Sequence, residues 1–414
     1  MENLQPKLRF PEFDNPPSLF KLKDLTLKIG DGLHSTPKYD DLGMYYFING
    51  NNLKDGIIFI DEKTKKVNEE EFFKHKKNLS TNTILLSING TIGNLAFYNS
   101  ENVILGKSAC YINTDENCLK KEYLYYQLKT RRISKYFDDS LTGSTIKNLG
   151  LKSINNTDII TPSLQEQTKI ADFLGAVDKQ LDILNQKKEK LNLYKKGLMQ
   201  QLFSQQIRFK DDNGNDFPDW QEKNLGEIGF FQTSSVDKLS RENEREIYLV
   251  NYMNVYRHEI IDNTTIKSFQ VVTAKDNQII SCNLLKGDIL FTPSSETPSD
   301  IGHSVVIFED VNNAVFSYHL MRFRPKIELN LMYSHYFCNI PKVLNQLTKY
   351  ATGSTRFTIS VKSFSKVLVD IPSIEEQTKI AEFLSAIDKQ IETVENQITK
   401  TETYKKGLLQ QMFV

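Results

Sequence analysis

Asn15-Pro16-Pro17 is the stretch of this chain that comes nearest to a reaction motif. An Asn-Pro-Pro run closed by an aromatic residue can hold the amino group of a flipped adenine while the ring stacks on the base, as methyl transfer to that nitrogen requires. Here the fourth residue is Ser18, which cannot stack, and no glycine-rich loop for a methyl donor precedes it. A proline-stiffened arm is the better reading. The G-x-x-x-x-G-K-[ST], H-E-x-x-H and G-x-S-x-G patterns are absent, as is a paired-acid and lysine cluster of the nuclease kind. Cys110, Cys118, Cys282 and Cys338 form no CxxC pair, so they read as reduced thiols and no metal site is expected. No catalytic residue is assigned, and the chain is expected to do no chemistry of its own.

What remains is hydrogen-bonding chemistry on loops. His34, Ser35, Thr36 and Lys38 lie in GDGLHSTPKY (30–39), Asn89 and Thr91 in SINGTIGN (87–94), and Ser144, Thr145 and Lys147 in TGSTIKN (142–148). The second half offers Ser234 and Ser235 in QTSSVDK (232–238), Ser294 and Ser295 in TPSSETPSDIGH (292–303), and Ser354, Thr355 and Arg356 in TGSTRFT (352–358). Hydroxyl, amide, imidazole and cationic groups can meet base edges and phosphate oxygens. Gly, Ser, Asn and Pro also populate ordinary turns for local reasons, which is the plain alternative. Charge argues against a grip on nucleic acid by charge alone, since 52 basic residues face 52 acidic ones, but leaves a local patch open. Residues 1–161 hold 22 basic and 20 acidic groups and residues 204–371 hold 18 and 20, so neither half is a basic clamp. KKEYLYYQLKTRR (120–132) reads as a helix with a solvated charged face.

The elements that must position these loops are written twice. PSLQEQTKIADFLGAVDKQLDILNQKKEKLNLYKKGLMQQLF (162–203) aligns without gaps to PSIEEQTKIAEFLSAIDKQIETVENQITKTETYKKGLLQQMF (372–413), with 23 identities in 42 positions. The match continues at the same offset in Thr142-Gly-Ser-Thr145 and Thr352-Gly-Ser-Thr355, then blurs. Farther upstream YYFINGNNLKDGII (45–58) only resembles IYLVNYMNVYRHEII (247–261), and LRFPEF (8–13) only resembles FPDW (217–220). The organisation read from this is a globular part at 1–161, a helix at 162–203, a second globular part at 204–371 and a second helix at 372–414.

Each helix opens on a capping box, Ser163 with Glu166 and Ser373 with Glu376. Ile170, Leu174, Val177, Leu181, Leu184, Leu191, Leu198 and Leu202 follow a coiled-coil spacing, as do Ile380, Leu384, Ile387, Ile391, Val394, Ile398, Leu408 and Met412. Lys195 and Lys405 interrupt both seams, and Lys188 and Thr401 add further breaks. Bare helices would expose those seams, so they are expected to pack on each other, antiparallel, holding the globular parts apart. Off the seam, Gln167, Lys169, Gln180 and Tyr194 recur as Gln377, Lys379, Gln390 and Tyr404, which a seam does not require. A repeated outer face points to one kind of partner docking twice. The apolar runs are too short to span a membrane, and the N-terminus lacks the apolar core of a signal peptide, so a cytoplasmic location is expected.

Variable domain, P-S-x-x-E-Q-x-x-I-A-x-F-L helix, variable domain and the same helix again is an order that resembles the specificity subunit of a bacterial type I restriction–modification system. The TGST loop before each helix and the Y-K-K-G-L-x-Q-x-x-F helix ends carry the resemblance, as does GDGLHSTPKYDDLG with the strand after it. It implies an α+β (mixed α/β) fold, two target recognition domains separated by two long antiparallel coiled-coil helices, with a pseudo-twofold internal repeat. Each domain would read half of a bipartite site in double-stranded DNA. The helices would set the spacer and dock two methylation subunits, and two restriction subunits could join. S-adenosylmethionine, ATP and Mg would belong to those partners, none to this chain. Two rivals are a protein-binding coiled-coil scaffold without DNA specificity and an enzyme with a degenerate site at Asn15-Pro16-Pro17.

Overall fold

A computed structural model describes residues 5–413; the outermost segment bounds, 1 and 414, lie outside them. The chain divides into two compact units, residues 1–186 with 396–414, and residues 187–395. Each unit therefore holds one globular part, the start of its own long helix and the end of the other.

In the first unit, β1 (Thr26–Asp31), β2 (Thr83–Ser87), β3 (Leu95–Phe97) and β4 (Ala109–Thr114) form an antiparallel sheet in the order β1-β4-β2-β3. The buried run TILLS makes β2 a core strand, covered on both faces. Against this sheet pack α1 (Lys121–Leu128) and the first turns of α2 (Leu164–Phe203). In the second unit, β5 (Gly229–Thr233), β6 (Ile289–Phe291), β7 (Ser304–Val306) and β8 (Met321–Pro325) repeat the order as β5-β8-β6-β7. There α3 (Leu331–Phe337) and α4 (Ile374–Met412) take the places of α1 and α2.

A three-stranded sheet also recurs, Lys66–Val67, Tyr45–Ile48 and Val103–Leu105 in one unit, Gln270–Ala274, Arg245–Val250 and Ala314–Phe316 in the other. In both, the middle strand is antiparallel to the first and parallel to the last. The repeat that blurs in sequence thus recurs in the topology of both sheets.

The stretch read as a solvated helical face divides. Lys129, Arg131 and Arg132 are exposed, but Tyr123, Leu124, Tyr125, Tyr126, Gln127 and Leu128 are buried. Tyr123 Oη and Gln127 Nε2 both donate to the Ile160 carbonyl, at 2.8 and 2.9 Å. The face toward the core is aromatic rather than aliphatic, which hid it.

The long helices pack as their seams require, and the lysine breaks have a cause. In the first unit Lys405 pairs with Asp178, and Tyr126 Oη donates to Asp178 Oδ2 at 2.9 Å. In the second, Lys195 pairs with Asp388, and Tyr336 Oη donates to Asp388 Oδ2 at 2.6 Å. Burial first, then the carboxylate, pushes the Tyr126 phenol above its ordinary range, so it stays a donor. Lys188 pairs with Glu395 at 2.8 Å, one helical repeat away. The pairs 188–395 and 195–388 run in opposite senses, the register of antiparallel helices. Thr401 back-bonds to Gln397 of its own helix.

The capping boxes close by half. Ser163 and Ser373 accept the amides of Glu166 and Glu376, but neither glutamate turns back to its serine. Arg9 donates to both oxygens of Glu166 at 2.7 Å, and Arg208 to both oxygens of Glu376 at 3.1 and 2.7 Å. The aromatic that follows each arginine packs edge-on to its helix, Phe10 on Phe173 and Phe209 on Phe383. The counterpart of Leu8-Arg9-Phe10 is therefore Ile207-Arg208-Phe209, with FPDW beyond it. The Glu166 hydrogen bonds hold the Arg9 guanidinium above its ordinary value.

Removing one partner of such a pair strands the other charge, at about 3–5 kcal/mol for a fully buried case. Glu166→Ala should therefore lower the urea midpoint of unfolding, with a loss below that range because the stranded Arg9 is only partly buried. Replacing both partners, Arg9→Met with Glu166→Leu, should restore most of it. Equal losses in the single and double variants would show that packing, and not the stranded charge, sets the cost.

Candidate nucleic-acid interface

The loop residues singled out in the sequence gather at one end of each four-stranded sheet. In the first unit β1 ends at Asp31 opposite Cys110, and β2 ends at Ser87 opposite Ala109. Both strand ends thus flank the start of β4. In the second unit Thr233 and Phe291, the last residues of β5 and β6, both lie opposite Met321 at the start of β8. An antiparallel neighbour between two parallel strands makes this convergence a consequence of strand order.

The TGST loops join that end. Leu149 N donates to Ile88 O at 2.9 Å and Asn148 bridges to Asn89, while Ile359 N donates to Pro293 O at 2.9 Å and Thr358 lies opposite Ser294. Gly143 and Gly353 adopt φ +93° and +141°, and a Cβ there would stand 2.4 Å from Ile146 O and 2.1 Å from Arg356 O. Only glycine makes this turn, so the recurrence of TGST has a backbone cause.

His34, Ser35, Thr36, Lys38, Thr91, Ser144, Thr145 and Lys147 are exposed in the first unit, and Asn89 is half-buried. Asp31 Oδ2 accepts from His34 Nε2 at 2.7 Å, which fixes the ring and leaves its other nitrogen to solvent. In the second unit Ser354, Thr355 and Arg356 are exposed. Ser294 and Ser295 are not: they are 8% and 6% exposed, inside the ladder with Phe357–Thr358. The Ser294 hydroxyl accepts from Arg356 Nη2 at 3.2 Å, and that of Ser295 from Thr297 N at 3.3 Å, so these serines support the surface. Ser234 caps Val236, and Ser235 accepts from Gln278, which gives both hydroxyls local partners.

Three residues escaped the sequence reading. Tyr318 and His319 occupy the turn between Ala314–Phe316 and β8, the place that Lys107 and Ser108 take in the first unit. Tyr318 is exposed and its ring lies 3.9 Å from that of His319. Burial holds the His319 imidazole below its ordinary pKa, and the positive charges of Arg356 and Lys238 depress it further. A cationic, aromatic cluster therefore forms at the end of the second sheet from three distant segments. No spacing signal links them.

The outer helix face also changes. Gln167 and Gln377 are 1% and 2% exposed, with Gln167 Oε1 accepting from Lys120 N and Gln377 Oε1 from Asn330 N. They lock each helix to its own domain and cannot belong to an outer face. Lys169 pairs with Glu12, and Lys379 donates to Lys210 O and Asp212. Tyr194 and Tyr404, at 55% and 54%, stay exposed, as do Gln180 and Gln390.

The sequence pattern of the type I restriction modification DNA specificity domain matches residues 18–193 and again 218–402. A putative type I restriction enzyme specificity subunit of Methanocaldococcus jannaschii, MjaX, is 27% identical over 94% of this chain and 91% of its own length. The MjaVIII specificity subunit of the same organism is 24% identical over 89% and 84%. Among solved structures, the S subunit of a type I restriction–modification system from M. genitalium covers 99% of both chains at TM-score 0.56 and 18% identity. At that identity the likeness speaks for the fold alone.

The charge cluster predicts a titration. His319 should titrate below 6.5, and Arg356→Ala should move it upward, measured by NMR of the imidazole proton. Because the folded-state value is depressed, this residue adds stability above the unfolded pKa that is lost as pH falls through the folded one. An unmoved titration in Arg356→Ala would separate the two groups.

Proposed function

Because the chain belongs to the type I restriction–modification DNA specificity family, we propose that its two units each read one half of a bipartite site in double-stranded DNA. The chain is the specificity component, and methyl transfer and cleavage lie in partner subunits. The observation that carries the bipartite reading is the doubled sheet end, where three loops of the same topological origin converge in each unit. Outside the recurrent TGST turn the loops differ in sequence while the strand order beneath them does not, as two different half-sites would require.

Exposed hydroxyl, amide, imidazole and guanidinium groups at these ends suit base-edge contacts, led by Arg356, His34 and Asn89. Two methylation subunits dock on the exposed helix residues, and restriction subunits join that complex. S-adenosylmethionine, ATP and Mg serve those partners. Among the described residues no helix is long and apolar enough to cross a membrane, which accords with action on DNA in the cytoplasm.

Docking should depend on the aromatic pair. Tyr194→Ala with Tyr404→Ala should weaken binding of methylation subunits by native mass spectrometry while leaving the unfolding midpoint unchanged. Gln167→Ala with Gln377→Ala should do the reverse, since those amides are internal.

The helices also act as a ruler. Four residues inserted after Leu184 and after Val394 add roughly 6 Å and turn the far end about 40° beyond a full circle, which keeps most of the seam. Half-sites in such arrangements are spaced by the protein's own geometry. Methylome sequencing should show the same half-sites with the spacer longer by one or two base pairs. The original spacer in an intact, active complex would mean that something else sets the distance.

A further inference from the structure

In the first unit a cleft of about 330 Å³ opens beside the three-stranded sheet. It is lined by Tyr39, Asn49, Phe59, Lys54, Lys63 and Lys65, with Asp61 as its one acid. Lys54 Nζ stands 4.5 Å from the centroid of the Phe59 ring, and Lys65 Nζ 5.8 Å from that of Tyr39. Both rings are partly exposed, so the ammonium groups are held over aromatic faces at the surface. The Asp61 carboxylate is turned into its own turn, where Oδ1 accepts from the Thr64 hydroxyl at 2.8 Å and from Lys63 N at 3.1 Å. Among the described residues none of the three lysines reaches a carboxylate within ion-pair distance. The lining of the cleft therefore carries a net positive charge, offset only in part by Asp61 beside Lys63.

Its position ties it to the sheet end. Asn49 Oδ1 accepts from the Ser108 hydroxyl at 3.0 Å, and the same hydroxyl accepts from Gly50 N at 2.9 Å. Ser108 belongs to the turn that leads into β4, at the end where the His34 and Asn89 loops converge. Asn49, which lines the cleft, is thus joined directly to that sheet end through Ser108.

We propose that this cleft is a phosphate-backbone site that clamps the duplex flanking the half-site read by the first unit, with Lys54, Lys63 and Lys65 as the phosphate ligands. The inference rests on the specificity reading above and names a contact surface that carries affinity without sequence information. In the second unit the matching stretch, residues 256–270, reads YRHEIIDNTTIKSFQ, with Arg257 and Lys267 where the first unit has three lysines.

The test uses the assembled complex with its methylation subunits. Affinity for a cognate duplex and for a scrambled duplex of equal length is measured across a salt series, for the wild type and for Lys54→Gln/Lys63→Gln/Lys65→Gln. Each lost phosphate contact should lower the steepness of log affinity against log salt by about 0.9, so a fall of up to roughly 2.7 is expected. Both duplexes should lose affinity by a similar factor, on the order of tenfold or more at 0.1 M salt, with the methylated sequence unchanged. The triple Lys→Arg variant should keep both the slope and the affinity.

An unchanged slope would overturn the proposal. So would a loss confined to the cognate duplex, which would mark the lysines as base readers. A protein subunit lost from the complex at unchanged slope would make the cleft a docking site for an acidic protein surface, and would overturn it too. Failure of the wild-type complex to discriminate the two duplexes, with the slope still falling in the variant, would sink the specificity reading and leave the clamp standing.

Discussion

The attachment of each long helix to its domain depends on one glutamate, the first acid of EQTKIA, which accepts two hydrogen bonds from an arginine some 160 residues distant in sequence. The geometry is bidentate, the arrangement in which a guanidinium and a carboxylate match best. Around it the chain ties the arm that precedes each domain to the helix that follows it. The next residue, Gln167 or Gln377, does the same for the domain itself, through backbone groups of Lys120 and Asn330. In the second unit Trp220 Nε1 adds a third donor to Glu376, at 2.9 Å. A helix so anchored enters its partner's seam at a set angle and phase.

Phase matters because a coiled-coil seam of branched aliphatic residues tolerates slippage by a heptad. The lysines that break the seam prevent it. Lys195 and Lys405 each meet an aspartate on the opposing helix, and a tyrosine from the domain completes the group. A shift of one heptad would break both aspartate–lysine pairs and carry each aspartate away from its tyrosine. The best-attested use of a polar residue in such a seam is specification of register. If the two domains read half-sites at a fixed separation, register is the quantity that function cannot allow to drift.

On this constant frame the exposed surfaces at the strand ends differ. The first unit offers hydroxyls, His34, Asn89 and a lysine cleft; the second gathers Tyr318, His319, Lys238 and Arg356. Both surfaces sit at the ends of strands held by identical topology, and both depend on a glycine turn that a side chain would block. Loop side chains can change without altering the ladders beneath them.

The duplicated helices, their seams and their capping serines could be read from the amino-acid order alone. They are local and periodic, and a repeat inside one chain shows which positions are held constant. The strand-end loops were likewise visible as runs of small polar residues. What the order of residues could not decide was which constant positions face inward. Glu166 and Gln167 look like surface residues by type, and only the return of a distant arm and domain makes them internal. Ser294 and Ser295 look like loop residues, and a two-residue ladder buries them. Tyr318, His319 and Lys238 carry no spacing signal, because the groups that make them a cluster come from separate loops. Local periodicity writes the helices; long-range closure of the chain decides which polar side chains are used to hold it and which are left free to meet a partner.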